Sequence, residues 1–79
     1  MSSNFFLNFN YTYQDIAQLI TKIRKEKKLT IYKLALKSCV DKSVIRRIEI
    51  GEREAYCSTL LKIIDGLDMT PAQFFARLE

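Results

Sequence analysis

The side chains best suited to act on something outside this chain are the cations of the stretch DKSVIRRIEIG, residues 41–51. Arg46 and Arg47 stand side by side between Ile45 and Ile48. A guanidinium presents five N–H donors in a planar fork, suited to a phosphate or to the acceptor edge of guanine. On a helix, at about 100° per residue, Val44, Ile45 and Ile48 share one stripe. Ser43, Arg46, Arg47 and Ile50 fall on the opposite one. One side suits a core, and the other offers two forks, a hydroxyl and a bare isoleucine.

Other chemistry is poorly supplied. There is no histidine, and Cys39 and Cys57 form no C-x-x-C pair, so a zinc site lacks ligands. No glycine-rich phosphate loop and no paired carboxylates suggest a catalytic centre. The expectation is a protein that is not an enzyme and uses no metal, cofactor or small-molecule ligand. The two cysteines are expected to be reduced, small core residues of a cytoplasmic protein. No run of 18 apolar residues occurs, and the N-terminus lacks the basic and apolar regions of a signal peptide.

Charge narrows the choice of partner. The 79 residues carry a net charge of +4, unevenly spread. Residues 22–53 hold eleven Lys/Arg against four Asp/Glu, while the rest of the chain is acidic on balance. A basic middle between acidic ends suits a polyanion.

The elements that must position these cations are helices. Two glycines and one proline leave little room for a sheet of many turns. The first helix is expected over 13–27, with Thr12 and Asp15 at its start and a buried stripe of Ile16, Leu19, Ile20 and Ile23. A short second helix follows Thr30 to about Lys37. After a three-residue turn, Asp41 caps a third over 42–50, which Gly51 ends. A fourth covers 58–66. Thr70, Pro71 and Gln73 start a fifth that runs to about Leu78. Residues 1–12 differ: they are uncharged and aromatic, and Leu7, Phe9, Tyr11 and Tyr13 alternate like a strand. They read as an arm that lies on the helical core or pairs with a second subunit, ahead of a domain over 13–79.

Two short helices joined by a tight turn, the second one basic, have helix-turn-helix geometry. The residues LITKIRKEKKLTIYKLALKSCVDKSVIRRIEIGE and LLKIIDGLDMTPAQFF resemble the Cro/C1-type (Xre-like) helix-turn-helix family, including small restriction–modification controller proteins and phage Cro-like repressors. The match rests on Ile23-Arg24, Leu29-Thr30, Leu34-Ala35, Val40, Ile45, Arg47-Ile48-Glu49, Gly51 and LLKIIDGLD at 60–68. It implies an all-α, five-helix, lambda-repressor-like bundle.

It also implies roles. Lys42, Ser43 and Arg47 match base-contacting positions, with Arg46 beside them. Arg24 and Glu49 match a buried salt bridge. Ala35 matches a small residue that lets the second and third helices cross. The chain departs from the pattern in three places: Cys39 replaces the turn glycine, Ile31 the glutamine that meets a phosphate, and Ala55 a proline. Phosphate contacts are therefore expected from Lys33, Lys37 and Arg53, with Ile50 covering the backbone or a thymine methyl. Phe74, Phe75 and Leu78 are expected at a homodimer contact, with one of the two phenylalanines in the core. The expected partner is a palindromic double-stranded DNA operator. The other reading is an antitoxin or anti-repressor module that acts through a protein partner.

Overall fold

Five helices follow one another in the computed structural model, which describes residues 11–78: α1 Tyr13–Glu26, α2 Ile31–Ser38, α3 Lys42–Glu49, α4 Cys57–Gly66 and α5 Pro71–Ala76. The described residues contain no strand. The arm expected over 1–12 lies, apart from Tyr11 and Thr12, outside them. Tyr13, the last residue of the expected strand alternation, is instead the first of α1.

The starts follow local chemistry. The Thr12 N–H donates to the Asp15 carboxylate at 2.8 Å. The Lys33 N–H donates to the Thr30 hydroxyl at 3.0 Å. Thr70 and Gln73 close a reciprocal pair, at 3.1 Å and 2.9 Å. Each satisfies N–H groups that the helix cannot pair internally. Asp41 holds the position before α3 but makes no capping hydrogen bond through its side chain.

The ends are sharp. α1, α3 and α4 each close with a left-handed residue: Lys28 at φ 58°, Gly51 at φ 79° and Asp68 at φ 60°. Paired backbone bonds accompany each one, such as Glu52 N–H to the Arg47 carbonyl and Gly51 N–H to the Ile48 carbonyl, both 3.0 Å. This is the Schellman arrangement, which turns the chain within two residues. α2 ends on Cys39, also left-handed at φ 59°.

The buried stripes meet in one core. Ile20 and Ile23 of α1, Leu34 of α2, Ile45 and Ile48 of α3, Ile63 and Ile64 of α4, Leu67 and Phe74 are essentially inaccessible to solvent. Each such side chain contributes about 1.5–3 kcal/mol relative to exposure. Ile16 is only half-buried and packs on the edge of the cluster.

Ala35 is half-buried. α2 and α4 approach closely at Gly66. A Cβ on Gly66 would stand 2.8 Å from the Ser38 Cβ and 3.0 Å from the Ser38 nitrogen. The glycine therefore does more than end a helix. Ser38 is itself buried, and its hydroxyl accepts the Val40 N–H at 3.3 Å inside the turn to α3.

Candidate nucleic-acid interface

α3 has two unlike faces. Ile45 and Ile48 are buried and Val44 is half-buried, while Lys42, Ser43, Arg46, Arg47 and Ile50 are exposed. Amphipathicity places them so, because the core can accept only the branched stripe. Arg46 and Arg47 also occupy the last turn, where cations complement the negative end of the helix dipole.

Arg24 and Glu49 fix α3 against α1. Arg24 Nε and Nη2 donate to the two Glu49 carboxylate oxygens at 2.7 Å and 2.9 Å. Arg24 Nη1 donates to the Leu29 carbonyl at 2.7 Å. The side chains are 11% and 6% exposed, so both charges depend on each other more than on water. One fork thus holds the end of α1, the connection to α2 and the last turn of α3. The guanidinium–carboxylate pair agrees with the expectation for these residues. The carbonyl as third partner was not legible from the sequence.

Lys33 is exposed on the first turn of α2. Arg53 is half-buried in the connection after α3, its guanidinium 5.8 Å from the centre of the Tyr56 ring. Lys37 has a partner within the chain. Its ammonium meets the Asp68 carboxylate at 2.6 Å, an exposed pair that links α2 to the end of α4. Lys37 and Asp68 are 31 residues apart, and helical spacing carries no sign of the pair.

Two expectations are corrected. Phe74 is wholly buried within its own chain, so it cannot offer its ring to another subunit. Phe75 meets it edge-on at 5.3 Å and is 40% exposed, while Leu78 is half-buried. Cys39 and Cys57 are free thiols, but both are exposed. The left-handed turn at Cys39 carries its side chain outward, and Cys57 stands at the first position of α4 on its outer side. No group of three or more metal-ligating side chains occurs among the described residues. None of the described helices is long and apolar enough to cross a membrane.

Two exposed ion pairs close the outside of the bundle. Arg77 forms a fork with Glu26, both contacts 2.8 Å, and Lys37 holds Asp68. The hydrogen bond from Arg77 lowers the Glu26 carboxyl, and that from Lys37 lowers Asp68, each below its ordinary value. The surface that remains uncommitted on α3 is therefore cationic and lies next to the exposed first turn of α2. Such a surface can enter a duplex groove, with forks toward base edges and a lysine toward the phosphates.

A helix-turn-helix family model matches residues 20–74. The wild-type restriction–modification controller protein C.Esp1396I is similar in structure. It is 35% identical, with a TM-score of 0.80 over 84% of this chain and 85% of that one. The same protein solved as a tetramer in complex with its natural 35 base-pair operator gives 35% identity and 0.81, over 84% and 87%. Its tyrosine-to-phenylalanine mutant bound to its highest-affinity operator site gives the same four values. No curated protein sequence matches the chain.

Proposed function

The chain belongs to the Cro/C1-type helix-turn-helix family, and from that premise we propose that it is a sequence-specific double-stranded DNA-binding regulator of transcription. The observation that carries this reading is the outward face of α3, where Lys42, Ser43, Arg46 and Arg47 stay uncommitted while the other face is held in the core. α3 lies in the major groove, and these four side chains meet base edges. Each arginine bidentate to guanine contributes about 1–3 kcal/mol of discrimination. Lys33, Arg53 and Ile50 lie along the sugar–phosphate backbone and set register.

One helix reads only a few base pairs, so the protein works as a homodimer on an inverted repeat, its two α3 helices about 34 Å apart. Phe75 and Leu78 supply the contact between subunits, and residues 1–12 are a second contributor. Regulation follows protein concentration through dimerisation, with the protein's own promoter among its targets. The activity is binding rather than catalysis, and it takes place in the cytoplasm.

Selection of binding sites from random duplexes tests the proposal. The expected result is an inverted repeat bound by wild-type protein and released by Arg46→Ala with Arg47→Ala. Enrichment of no sequence up to micromolar protein, or equal binding by that variant, removes it.

A further inference from the structure

Tyr56 is the most exposed of the large hydrophobic side chains among the described residues, at 71%, and the operator-binding reading gives it no task. It stands at the position before α4 and makes no capping hydrogen bond through its side chain. The Arg53 guanidinium lies over its ring, 5.8 Å from the centre. Arg24 and Arg77 spend their forks on the carboxylates of Glu49 and Glu26. Arg53 differs. Glu52 and Glu54 flank it in sequence, yet among the described residues it forms no ion pair.

The two ways of holding an arginine leave different chemistry behind. A carboxylate grips the guanidinium by its N–H edge and consumes the donors. An aromatic face attracts the same cation through the ring quadrupole and leaves that edge free. Arg53 is therefore steadied with its charge and its donors unspent. We infer that Tyr56 is a positioning residue, whose ring holds the Arg53 guanidinium ready for a DNA phosphate. The inference rests on the operator-binding reading, which places Arg53 along the sugar–phosphate backbone, and it names what sets that contact.

The backbone between the two residues is tied at both ends. The Glu52 N–H donates to the Arg47 carbonyl at 3.0 Å, so the connection leaves from the last turn of α3. The Tyr56 carbonyl accepts the Leu60 N–H at 2.8 Å, so the ring is anchored on the first turn of α4. The ring thus relates Arg53 to two helices instead of leaving it to a loose connection. A long side chain ordered before binding has less freedom to lose on binding. That saving, with the exposed cation–π contact, amounts to about a 3- to 10-fold gain in affinity. All sequences share the gain, because a phosphate carries no base identity.

The test uses the full chain in two arms, and thermal unfolding checks that each variant folds. Without DNA, NMR follows the Arg53 side-chain protons, which the ring current displaces. Tyr56→Leu is expected to remove that displacement and Tyr56→Phe to keep it. With DNA, a duplex selected by the wild-type protein and an unrelated duplex are titrated at several salt concentrations. Tyr56→Leu is expected to weaken both about 3- to 10-fold, and Tyr56→Phe to stay within about twofold of wild type. Arg53→Ala should lower the salt slope by about 0.9, whereas Tyr56→Leu leaves the slope unchanged. With Arg53→Ala already in place, Tyr56→Leu should add no further loss. Equal losses for Tyr56→Phe and Tyr56→Leu would assign the effect to the hydroxyl, and additive losses with Arg53→Ala would put the ring itself on the DNA. Either overturns the inference, as does an Arg53 signal that ignores the ring. A displaced Arg53 signal in wild-type protein that binds no duplex sinks the operator reading, and the inference with it, which is a separate and recognisable result.

Discussion

Removing either partner of the Arg24–Glu49 pair should cost far more than removing both. The single changes are Arg24→Met and Glu49→Leu. The first leaves a carboxylate 6% exposed with no donor, and it also frees the Leu29 carbonyl. The second leaves a guanidinium 11% exposed with that carbonyl as its only acceptor. A buried charge stranded in this way costs about 3–5 kcal/mol. A 79-residue domain has about 4–12 kcal/mol in all, so each single change removes about a quarter or more. The double variant replaces both charges with apolar groups and should lose no more than about 1–2 kcal/mol. Urea unfolding followed by circular dichroism reads this directly, provided the slope m stays constant so that the midpoint reports stability. Single-variant losses below about 1 kcal/mol would mean that the pair behaves as an exposed one. A double-variant loss equal to the sum of the singles would mean no coupling. Either result refutes the account of how α3 is held.

Cys39→Gly should stabilise the fold by about 0.5–1 kcal/mol in urea melts. It relieves a left-handed side-chain residue, offset by the freedom that glycine adds to the unfolded chain. Gly66→Ala should do the opposite and lose about 1–2 kcal/mol by the same measurement. The new methyl meets Ser38 at 2.8 Å, and this outweighs the roughly 1 kcal/mol of helix propensity that alanine brings. In acid titrations of stability, the contributions of Asp68 and Glu26 should be present above their ordinary values of 3.8 and 4.5. Their folded values are depressed, so these contributions fade as pH falls through them, and Asp68→Asn with Glu26→Gln should flatten that limb. Arg47→Ala should relax the base preference at one position of a selected site. Lys33→Ala should instead weaken all sequences alike and lower the salt slope by about 0.9.

What the sequence makes legible here is local. Thr12 with Asp15, Thr30 with Lys33, and Thr70 with Gln73 speak three residues apart, and helical periodicity sorts Ile45 and Ile48 from Arg46 and Arg47. Those features located the helices and the outward face of α3. Arg24 and Glu49, 25 residues apart, came only from resemblance to a family. Lys37 with Asp68 and Arg77 with Glu26 are partners at still longer range, and no periodicity announces them. Gly66 read as a helix end because its other duty depends on Ser38 of another helix. The exposure of both cysteines has a different origin. Free cysteine is buried on average, but a left-handed residue at a helix end turns its side chain to solvent, and local conformation overrode the average.

The connection from α2 to α3 has no slack. Cys39, Val40 and Asp41 span it with a left-handed bend, a buried side chain and a hydrogen bond to Ser38. It therefore holds the start of α3 closely against the end of α2. A single residue inserted in the first turn of α3 would rotate the side chains that follow it by about 100° about the helix axis. That would carry the isoleucines toward water and the arginines toward the interior. Variation among such chains should thus concentrate in which side chains occupy the outward positions, while the residue count between the two helices stays constant.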